Sequence, residues 1–310
     1  MTQPFHHTPV LLGESLRALD LRSGGAYLDG TVGGGGHSLG ILQALQGQCA
    51  LTCLDRDQEA LEAARARLAR YPQVRFVHGN FHQAQALLPG QRFDGILLDL
   101  GVSSHQLDQP HRGFSYHEEA PLDMRMDQEG GPTAADWLNT APEGEIAGAL
   151  RDYADERWAV RIARIILEMR AQRPLETTQD LVRAVDRAIP RAVRRREEGH
   201  PARRTFQAVR IAVNDEIAPL RAALTGLLGM LTPGGRLVVI TFHSIEDRVV
   251  KRAFNSFRNP CVCPVDAPLC VCGRQPLASL PRGYPVSPGE EELRTNPRAR
   301  SARLRVAQKL

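Results

Sequence analysis

Short apolar segments that end in a carboxylate recur through the first hundred residues of the chain. Ala26–Asp29, Cys49–Asp55 and Phe93–Asp99 each have the composition of a buried β-strand, and helix-like segments follow the first two. Strands that are apolar along their whole length are typical of parallel sheets that carry helices on both faces. The alternation therefore predicts an α/β fold built on a parallel sheet, and it excludes a disordered, coiled-coil or collagen-like chain.

After Asp99 the alternation stops, and it resumes only about a hundred residues later. In between, apolar residues recur at helical spacing and no segment has the pattern of a strand, which predicts an all-helical insertion. A turn at Leu231–Gly235, a strand at Arg236–Phe242 and an edge strand at Ala302–Val306 then complete the predicted sheet. We predict a first part of the α/β domain at residues 1–108, a helical insertion at residues 109–205 and a second part of the α/β domain at residues 206–310.

Four consecutive glycines, Gly33 to Gly36, separate the first strand from the helix that follows. Such a loop lets the backbone approach a ligand closely at a helix N-terminus. Asp29 would repel the pyrophosphate of a dinucleotide, but it suits the sulfonium and ammonium groups of S-adenosylmethionine, and Asp55 suits the ribose hydroxyls. S-adenosylmethionine is therefore the predicted cofactor. A nicotinamide-dependent Rossmann oxidoreductase is the alternative, although the loop matches its Gly-x-Gly-x-x-Gly pattern only loosely.

Asp99 ends the strand predicted at Phe93–Asp99, beside the place where the strand order of such a sheet reverses. Open α/β sheets bind their ligands there, outside the carboxyl ends of the strands. The segment Asp99–Ser104 is therefore the predicted place for chemistry.

Seven motifs share one order along the chain: Gly30–His37, Asp94–Ser104, Arg112–Ser115, Pro121–Asp127, Arg204–Ile211, Phe242–Arg248 and Asn296–Ser301. Together they resemble the bacterial small-subunit ribosomal RNA cytosine-N4 methyltransferases, the RsmH or MraW family. The resemblance runs from His7 to near the C-terminus. It implies a Rossmann-like class I S-adenosylmethionine methyltransferase fold. Because the helical insertion begins directly after the Asp99 loop, we predict that it recognises the substrate, with a structural cap as the alternative. The resemblance also implies methylation of a decoding-centre cytosine of 16S ribosomal RNA, with the assembled small subunit as the substrate.

The resemblance also assigns positions to the site. Those that match the family's cofactor-binding residues are Gly35, Gly36, His37, Asp55, Phe81, Asp99 and Gln106, and the loop composition adds Asp29 and Gly33. Asp99 is the catalytic candidate, because a carboxylate that accepts a hydrogen bond from N4–H favours the nucleophilic amine. Phe81 would pack on the adenine, with a core aromatic residue as the alternative. Phe114 or Tyr116 would stack on the cytosine. His243 would line the substrate cleft, with a structural histidine as the alternative.

Basic residues concentrate in the segment Arg187–Arg210, although the formal net charge is only +4. Arg194, Arg195 and Arg196 are the predicted contacts with RNA phosphates in this segment, and a solvated surface is the alternative reading. A non-enzymatic RNA-binding assembly factor and a small-molecule methyltransferase also remain open, because fold does not fix function.

Cys261, Cys263, Cys270 and Cys272 form two Cys-x-Cys pairs in an irregular segment rich in proline. Four thiolates suit tetrahedral zinc, but zinc sites usually use the wider Cys-x-x-Cys spacing. The sequence therefore allows a zinc site or a loop without metal, whereas Cys49 and Cys53 have the setting of core residues.

The chain contains no uncharged apolar run near the ~18 residues that a spanning helix needs. Its first residues also lack the pattern of a signal peptide. We expect a cytoplasmic protein without a membrane partner, and the sequence gives no indication of the oligomeric state.

Overall fold

A computed structural model describes residues 9–196, 199–264 and 269–310 of the protein. The chain divides into two compact units. The first, here called the sheet unit, comprises the residues before Val102 and after Glu216, and the second, the helical unit, comprises Val102–Glu216. The predicted insertion at 109–205 was therefore too short at both ends.

The described residues of the sheet unit form seven strands. In chain order they are β1 (Ala26–Asp29), β2 (Ala50–Asp55), β3 (Arg75–His78), β4 (Phe93–Asp99), β5 (Leu231–Thr241), β6 (Ala278–Ser279) and β7 (Arg303–Lys309). Their order across the sheet is β3-β2-β1-β4-β5-β7-β6. The neighbouring pairs from β3 to β5 are parallel, and β7 is antiparallel to both β5 and β6.

The helices of the sheet unit and the helical unit are numbered together along the chain. They are α1 (Leu12–Leu19), α2 (Gly36–Ala44), α3 (Gln58–Arg67), α4 (Ala84–Leu87), α5 (Ser104–Asp108), α6 (Ala134–Thr140), α7 (Glu143–Ala154), α8 (Ala159–Arg170), α9 (Thr178–Ala188), α10 (Arg191–Arg194), α11 (Arg203–Asn214), α12 (Leu220–Met230), α13 (Ser244–Arg258) and α14 (Glu290–Thr295). Short 3-10 turns lie at Phe81–Gln83, Pro110–Arg112 and Pro297–Ser301.

One sequence prediction about the sheet needs correction. The last strand, β7, does not lie at the edge, because β6 pairs with its end through Ala278 and Ser279. The predicted turn at Leu231–Gly235 lies within the bounds of β5 and interrupts its pairing. Leu231 pairs with Phe93, the next pair is Arg236 with Gly95, and Gly234 has a φ of 82°.

Apolar residues cover both faces of the sheet. Along β5, Val238 and Ile240 pack into one core and Leu237 and Val239 into another, because successive side chains of a strand point to opposite faces. The first core also contains buried residues of α1, α2 and α3, and the second contains residues of α4, α12 and α13. This two-sided burial explains why the strands are continuous apolar runs in the sequence.

The helical unit has a core of its own. Ile162 and Ile166 of α8 are fully buried, as their helical spacing predicts, and they pack with Leu150 of α7 and Val185 of α9. Phe206 of α11 lies in the same core. This packing explains why α11, which was predicted to begin the second part of the α/β domain, belongs to the helical unit.

Within the described residues, no helix is both long and apolar enough to cross a membrane.

Candidate active site

The glycine loop after β1 is fixed to the end of β2. The backbone N–H of Gly33 donates to Oδ2 of Asp55 over 2.8 Å. Gly35 precedes α2 with a φ of 75°, and a Cβ at this position would lie 3.3 Å from the backbone of Ala64 in α3. Gly36 is the first residue of α2. Three predicted glycines thus form a tight turn at the start of a helix, where only glycine combines this conformation with such close packing.

Asp55 ends β2 and accepts two backbone hydrogen bonds. Its Oδ2 is bound by Gly33, and its Oδ1 accepts from the N–H of Asp57 over 3.0 Å. Burial raises the pKa of Asp55, and the hydrogen bonds from Asp57 and Gly33 oppose that change. The carboxylate therefore anchors the glycine loop, and each oxygen keeps a lone pair for a further donor.

Asp29 ends β1 and is only 1% exposed. Its Oδ2 accepts from the hydroxyl of Ser38 over 2.7 Å, and its Oδ1 lies 3.3 Å from the N–H of Thr31, which donates to it. Burial raises the pKa of Asp29 to about 6, against the effect of these two hydrogen bonds. Asp29 thus fixes the loop from within, and its contact with a cofactor stays a prediction.

Phe81 lies in the 3-10 turn that follows β3, with its ring partly buried against the second core of the sheet unit. Its ring meets that of His82 edge to face, with 4.3 Å between centroids. Gly30 brings the end of β1 close to it, since a Cβ there would lie 3.4 Å from Cβ of Phe81. Phe81 therefore sits at the same carboxyl edge of the sheet as the glycine loop.

Asp99 ends β4, next to β1, where the strand order reverses. Its Oδ1 is buried and has no hydrogen-bond partner among the described residues. Burial raises the pKa of Asp99 well above its ordinary value, and the charges of Asp29 and Glu246 raise it further. A buried acceptor without a donor is uncommon in proteins and calls for a functional explanation.

His37, in α2, faces Asp99. Its Nδ1 lies 3.7 Å from Oδ2 of Asp99, and its Nε2 lies 2.9 Å from the carbonyl oxygen of Val10. Because a carbonyl can only accept, Nε2 carries a proton, and Nδ1 is the ring nitrogen that lies toward the carboxyl group. The structure thus brings together two predicted site residues, one from α2 and one from β4.

Glu246 is a member of the site that the residue-by-residue interpretation missed. It is buried in α13, and its Oε2 accepts from the N–H of Phe242 over 2.9 Å. Nε2 of His243 lies 3.0 Å from Oε1 of Glu246, but out of line for a hydrogen bond. The signal was present in the motif Phe242–Arg248, which places an acid one helical turn after the end of a strand.

His243 itself lies at the end of β5, and its ring accepts from the backbone N–H of Glu246 as the N-cap of α13. This contact agrees with the structural alternative. A contact of His243 with substrate stays a prediction.

The end of the sheet is therefore acidic and partly buried. Asp29, Asp99 and Glu246 come from β1, β4 and α13, and burial disfavours the charge on the first two. A cation placed between them would offset that cost. The arrangement suits a positively charged ligand and does not suit a pyrophosphate.

The other predicted contacts belong to the helical unit. Gln106 is buried in α5, where its Oε1 accepts from the N–H of Ser103 in a capping box. Tyr116 is partly buried and stacks on His200, with ring centroids 4.5 Å apart and planes 16° from parallel.

Phe114 does not fit the prediction that it stacks on a base. It is 5% exposed and packs in the core of the helical unit, because its ring fills space among apolar side chains such as Leu122 and Met124. Of the two residues predicted to stack on the cytosine, only Tyr116 therefore stays a prediction.

Two of the three predicted arginines are exposed. Arg195 and Arg196 follow α10 and face solvent, whereas Arg194 pairs with Asp186 of α9. The candidate phosphate contacts are therefore reduced to Arg195 and Arg196.

A Rossmann-like sheet, a tight glycine loop after β1 and acidic residues at the ends of β1, β2 and β4 define an α/β domain of the methyltransferase class. The sequence relationships specify it further. The model of the MraW methylase family matches residues 4–310, and the chain belongs to this family.

Two relatives are both called ribosomal RNA small subunit methyltransferase H. The chain is 54% identical over 312 residues to the protein of Heliobacterium modesticaldum, with 99% of each chain covered. It is 50% identical over 312 residues to that of Geobacter sp. strain M21, with 99% of this chain and 100% of the relative covered.

Among solved structures, the N-methyltransferase NodS from Bradyrhizobium japonicum in complex with S-adenosyl-l-homocysteine covers 96% of this chain, with 85% of its own length aligned. Its TM-score of 0.42 and identity of 10% are too low to add to the assignment. Membership of a methylase family favours the methyltransferase prediction over the oxidoreductase alternative.

Proposed function

We propose that the protein transfers a methyl group from S-adenosylmethionine to the exocyclic N4 of a cytosine in 16S ribosomal RNA of the small subunit. Family membership and the names of the relatives support the reaction and the substrate. The observation that carries the assignment of the site is the carboxyl group of Asp99, which ends β4 at the switch point with a buried oxygen that has no partner.

The residues present fit the proposed cofactor. The glycine loop leaves room for close approach of a ligand, and the acidic strand ends favour its cationic centre. Asp55 keeps acceptor capacity for ribose hydroxyls, and Phe81 offers an apolar ring for the adenine. Gln106 and His37 complete the predicted set.

Methyl transfer requires little acid–base chemistry. S-adenosylmethionine, when bound, supplies an electrophilic methyl group. Placing N4 in line with that group accounts for much of the rate. The nitrogen is a poor nucleophile because its lone pair is delocalised into the cytosine ring.

Asp99 makes N4 more nucleophilic by accepting a hydrogen bond from N4–H, which localises the lone pair on the nitrogen. Its raised pKa makes the ionised carboxylate a stronger proton acceptor than an ordinary aspartate. N4 would gain the methyl group as the sulfur–methyl bond of the cofactor breaks, with the bonding pair left on sulfur. N4 becomes positive as it gains the methyl group, and Asp99 takes the proton that N4 loses. Glu246 keeps Asp99 basic through its charge, and its own position is fixed by the N–H of Phe242.

The target cytosine must leave its stack to reach such a site. Arg195 and Arg196 supply exposed positive charge for the phosphates around it. We place the reaction in the cytoplasm, where small subunits are assembled.

The deciding experiment measures transfer of tritium from labelled S-adenosylmethionine to small subunits that lack the modification, followed by nucleoside analysis. We expect label in N4-methylcytidine of 16S RNA. Binding of the protein to subunits without transfer would support the assembly-factor alternative. Label in another nucleoside would overturn the assignment of N4.

A further inference from the structure

The segment between α13 and β6 contains four cysteines that no step of methyl transfer uses. Cys261, Cys263, Cys270 and Cys272 are all free thiols. Their sulfur atoms lie within 4.8 Å of one another. The two pairs are separated by six residues in the sequence, so the chain must fold back to bring them together.

The distances between the sulfur atoms are those of a tetrahedral metal site. Sγ of Cys270 lies 3.6 Å from that of Cys261, 3.9 Å from that of Cys263 and 3.5 Å from that of Cys272. Sγ of Cys272 lies 3.8 Å from that of Cys261. A tetrahedron with metal–sulfur bonds of about 2.3 Å has edges of about 3.8 Å. A disulfide would require about 2.05 Å between two sulfurs.

A backbone N–H group points at this cluster of sulfurs. The N–H of Val271 donates to Sγ of Cys263 over 3.4 Å. A hydrogen bond of this kind orients and stabilises a thiolate ligand of a metal.

Neither burial nor secondary structure explains why the thiols converge. Cys261 and Cys270 are exposed, and the described residues between Asn259 and Leu277 form no helix or strand. The described aliphatic side chains between the cysteines and beside them are exposed, Val262 by 62%, Leu269 by 77% and Val271 by 87%. The described part of the segment therefore has no core of its own, so another interaction must hold the four sulfurs together.

We propose that Cys261, Cys263, Cys270 and Cys272 bind one zinc ion as four thiolate ligands. Four sulfur ligands complete the tetrahedron and leave no open position, which makes the site structural rather than catalytic. Binding converts four thiols to thiolates and releases four protons to solvent. The tight Cys-x-Cys spacing is compatible with the site, because the two sulfurs of each pair occupy two corners of the tetrahedron, one edge apart.

The zinc holds together the interior of a loop whose two ends are already joined by backbone hydrogen bonds. The N–H of Leu277 donates to the carbonyl oxygen of Phe257 over 2.8 Å, and Ala278 then pairs with β7. Zinc fixes the four cysteines between these two anchors, where the described residues form no helix or strand. The proposal concerns this segment alone and does not depend on the methyl-transfer reaction.

The first test is the metal content of protein purified without chelators or metal-affinity resin. We expect about one zinc per chain by plasma mass spectrometry. Release of zinc, followed with a metallochromic dye, should be complete when four thiols have reacted with a mercurial. Less than one tenth of an equivalent of zinc, with the four thiols freely reactive in the native protein, would overturn the proposal. One equivalent of iron in place of zinc would overturn the metal assignment.

The second test compares Cys263→Ser with Cys49→Ser, in which the replaced thiol belongs to the core. C263S should lose most of its zinc and C49S should keep it. Trypsin should cleave after Arg274 in C263S and in chelator-treated wild type, but slowly in untreated wild type. Circular dichroism and cofactor binding check that both variants are folded. Equal zinc content in the two folded variants would contradict the assignment of ligands.

Discussion

Two charged regions of the molecule differ in how far their charges are buried. They are the carboxyl edge of the sheet unit and the arginine run of the helical unit, Arg194–Arg196. Asp29 and Asp99 lie at strand ends in surroundings that disfavour their charged forms. Arg195 and Arg196 face solvent. Burying a charge without a full set of partners costs on the order of several kcal/mol, whereas an exposed charge costs little. The costly arrangement indicates a specific ligand, and changes there should have large effects, whereas changes in the run should have small ones.

The largest effect is expected for Asp99→Asn. An amide accepts more weakly and cannot take a proton from N4, so the rate of transfer should fall by about 100- to 1000-fold. Single-turnover transfer to small subunits measures the rate, and calorimetry measures cofactor affinity in parallel. Asp94→Asn is the matched control, because Asp94 lies near the start of the same strand, away from the site. Its carboxylate accepts hydrogen bonds from Ala26 and Thr232. A normal rate in D99N would remove Asp99 from the reaction, and loss of cofactor binding alone would limit it to that role.

The next effect in size is expected for Asp55→Ala. Loss of a charge-assisted acceptor for the ribose costs about 1.5–3 kcal/mol, or about 10- to 100-fold in the dissociation constant of the cofactor. The variant also loses the anchor of Gly33, so some loss of folding stability is expected as well. Asp55→Asn separates the two effects, because its carbonyl oxygen can still accept from one backbone N–H. Unchanged cofactor affinity in D55A would place the ribose elsewhere.

The pH dependence of stability tests how strongly burial at the carboxyl edge of the sheet disfavours the charged form of Asp29. In the folded, ligand-free protein Asp29 keeps its proton up to a pKa of about 6, whereas its ordinary value is 3.8. The folded state therefore binds more protons between these values, and stability falls as the pH rises through this range. Asp29→Asn mimics the protonated form. It should match wild type below about pH 3 and exceed it by roughly 3 kcal/mol at pH 8.

The difference between the two proteins is the quantity to measure, by urea unfolding at several pH values. Burial lowers the pKa of His82 to about 4, which makes stability rise with pH over an overlapping range and masks the effect of Asp29 in wild type alone. The subtraction removes this contribution. A constant difference between D29N and wild type from pH 4 to pH 8 would show that Asp29 is not strained by burial.

A smaller effect is expected from the glycine loop, for which the chain provides a matched pair. Gly35 and Gly90 have nearly the same backbone angle, with φ of 75° and 73°. A Cβ at Gly35 would press on Ala64, whereas at Gly90 it would meet nothing within 4 Å. Gly35→Ala should therefore destabilise the protein by about 1–2 kcal/mol more than Gly90→Ala does. Gly90→Ala has only the cost of placing alanine at a positive φ. Equal losses would mean that the helix α3 moves aside.

Much of this edge could be predicted from the sequence because its signals are local. Each strand is a short apolar run, and the residue after the run is placed at the edge by the geometry of parallel strands, as Asp29, Asp55 and Asp99 show. The glycines reveal their loop for the same reason. Glu246 was harder to find, since its place beside Asp99 depends on how α13 packs and not on spacing alone.

The failures share a cause, which is tertiary packing. Aromatic residues carry no local mark that separates a stacking ring from a core ring, and Phe114 belongs to the core. The position of β7 inside the sheet depends on the two-residue strand β6, which lies in a segment without periodicity. The pairing of Arg194 with Asp186 likewise joins two neighbouring helices that the sequence alone does not orient.

The smallest effect is expected in the arginine run, and it is the sharpest test of the difference between buried and exposed charge. Arg195→Gln with Arg196→Gln should weaken binding to small subunits only a few-fold at moderate salt, because each exposed cation adds little by itself. The slope of log affinity against log salt should become shallower by about one to two, since about one counterion is released for each phosphate contact. Arg194→Gln is the control. Its guanidinium already pairs with Asp186, so its slope should stay close to that of wild type. Cofactor affinity should be the same in all three proteins. An unchanged slope in the double variant would assign the run to solvated surface, and an equal change in Arg194→Gln would show that the pair with Asp186 opens when RNA binds.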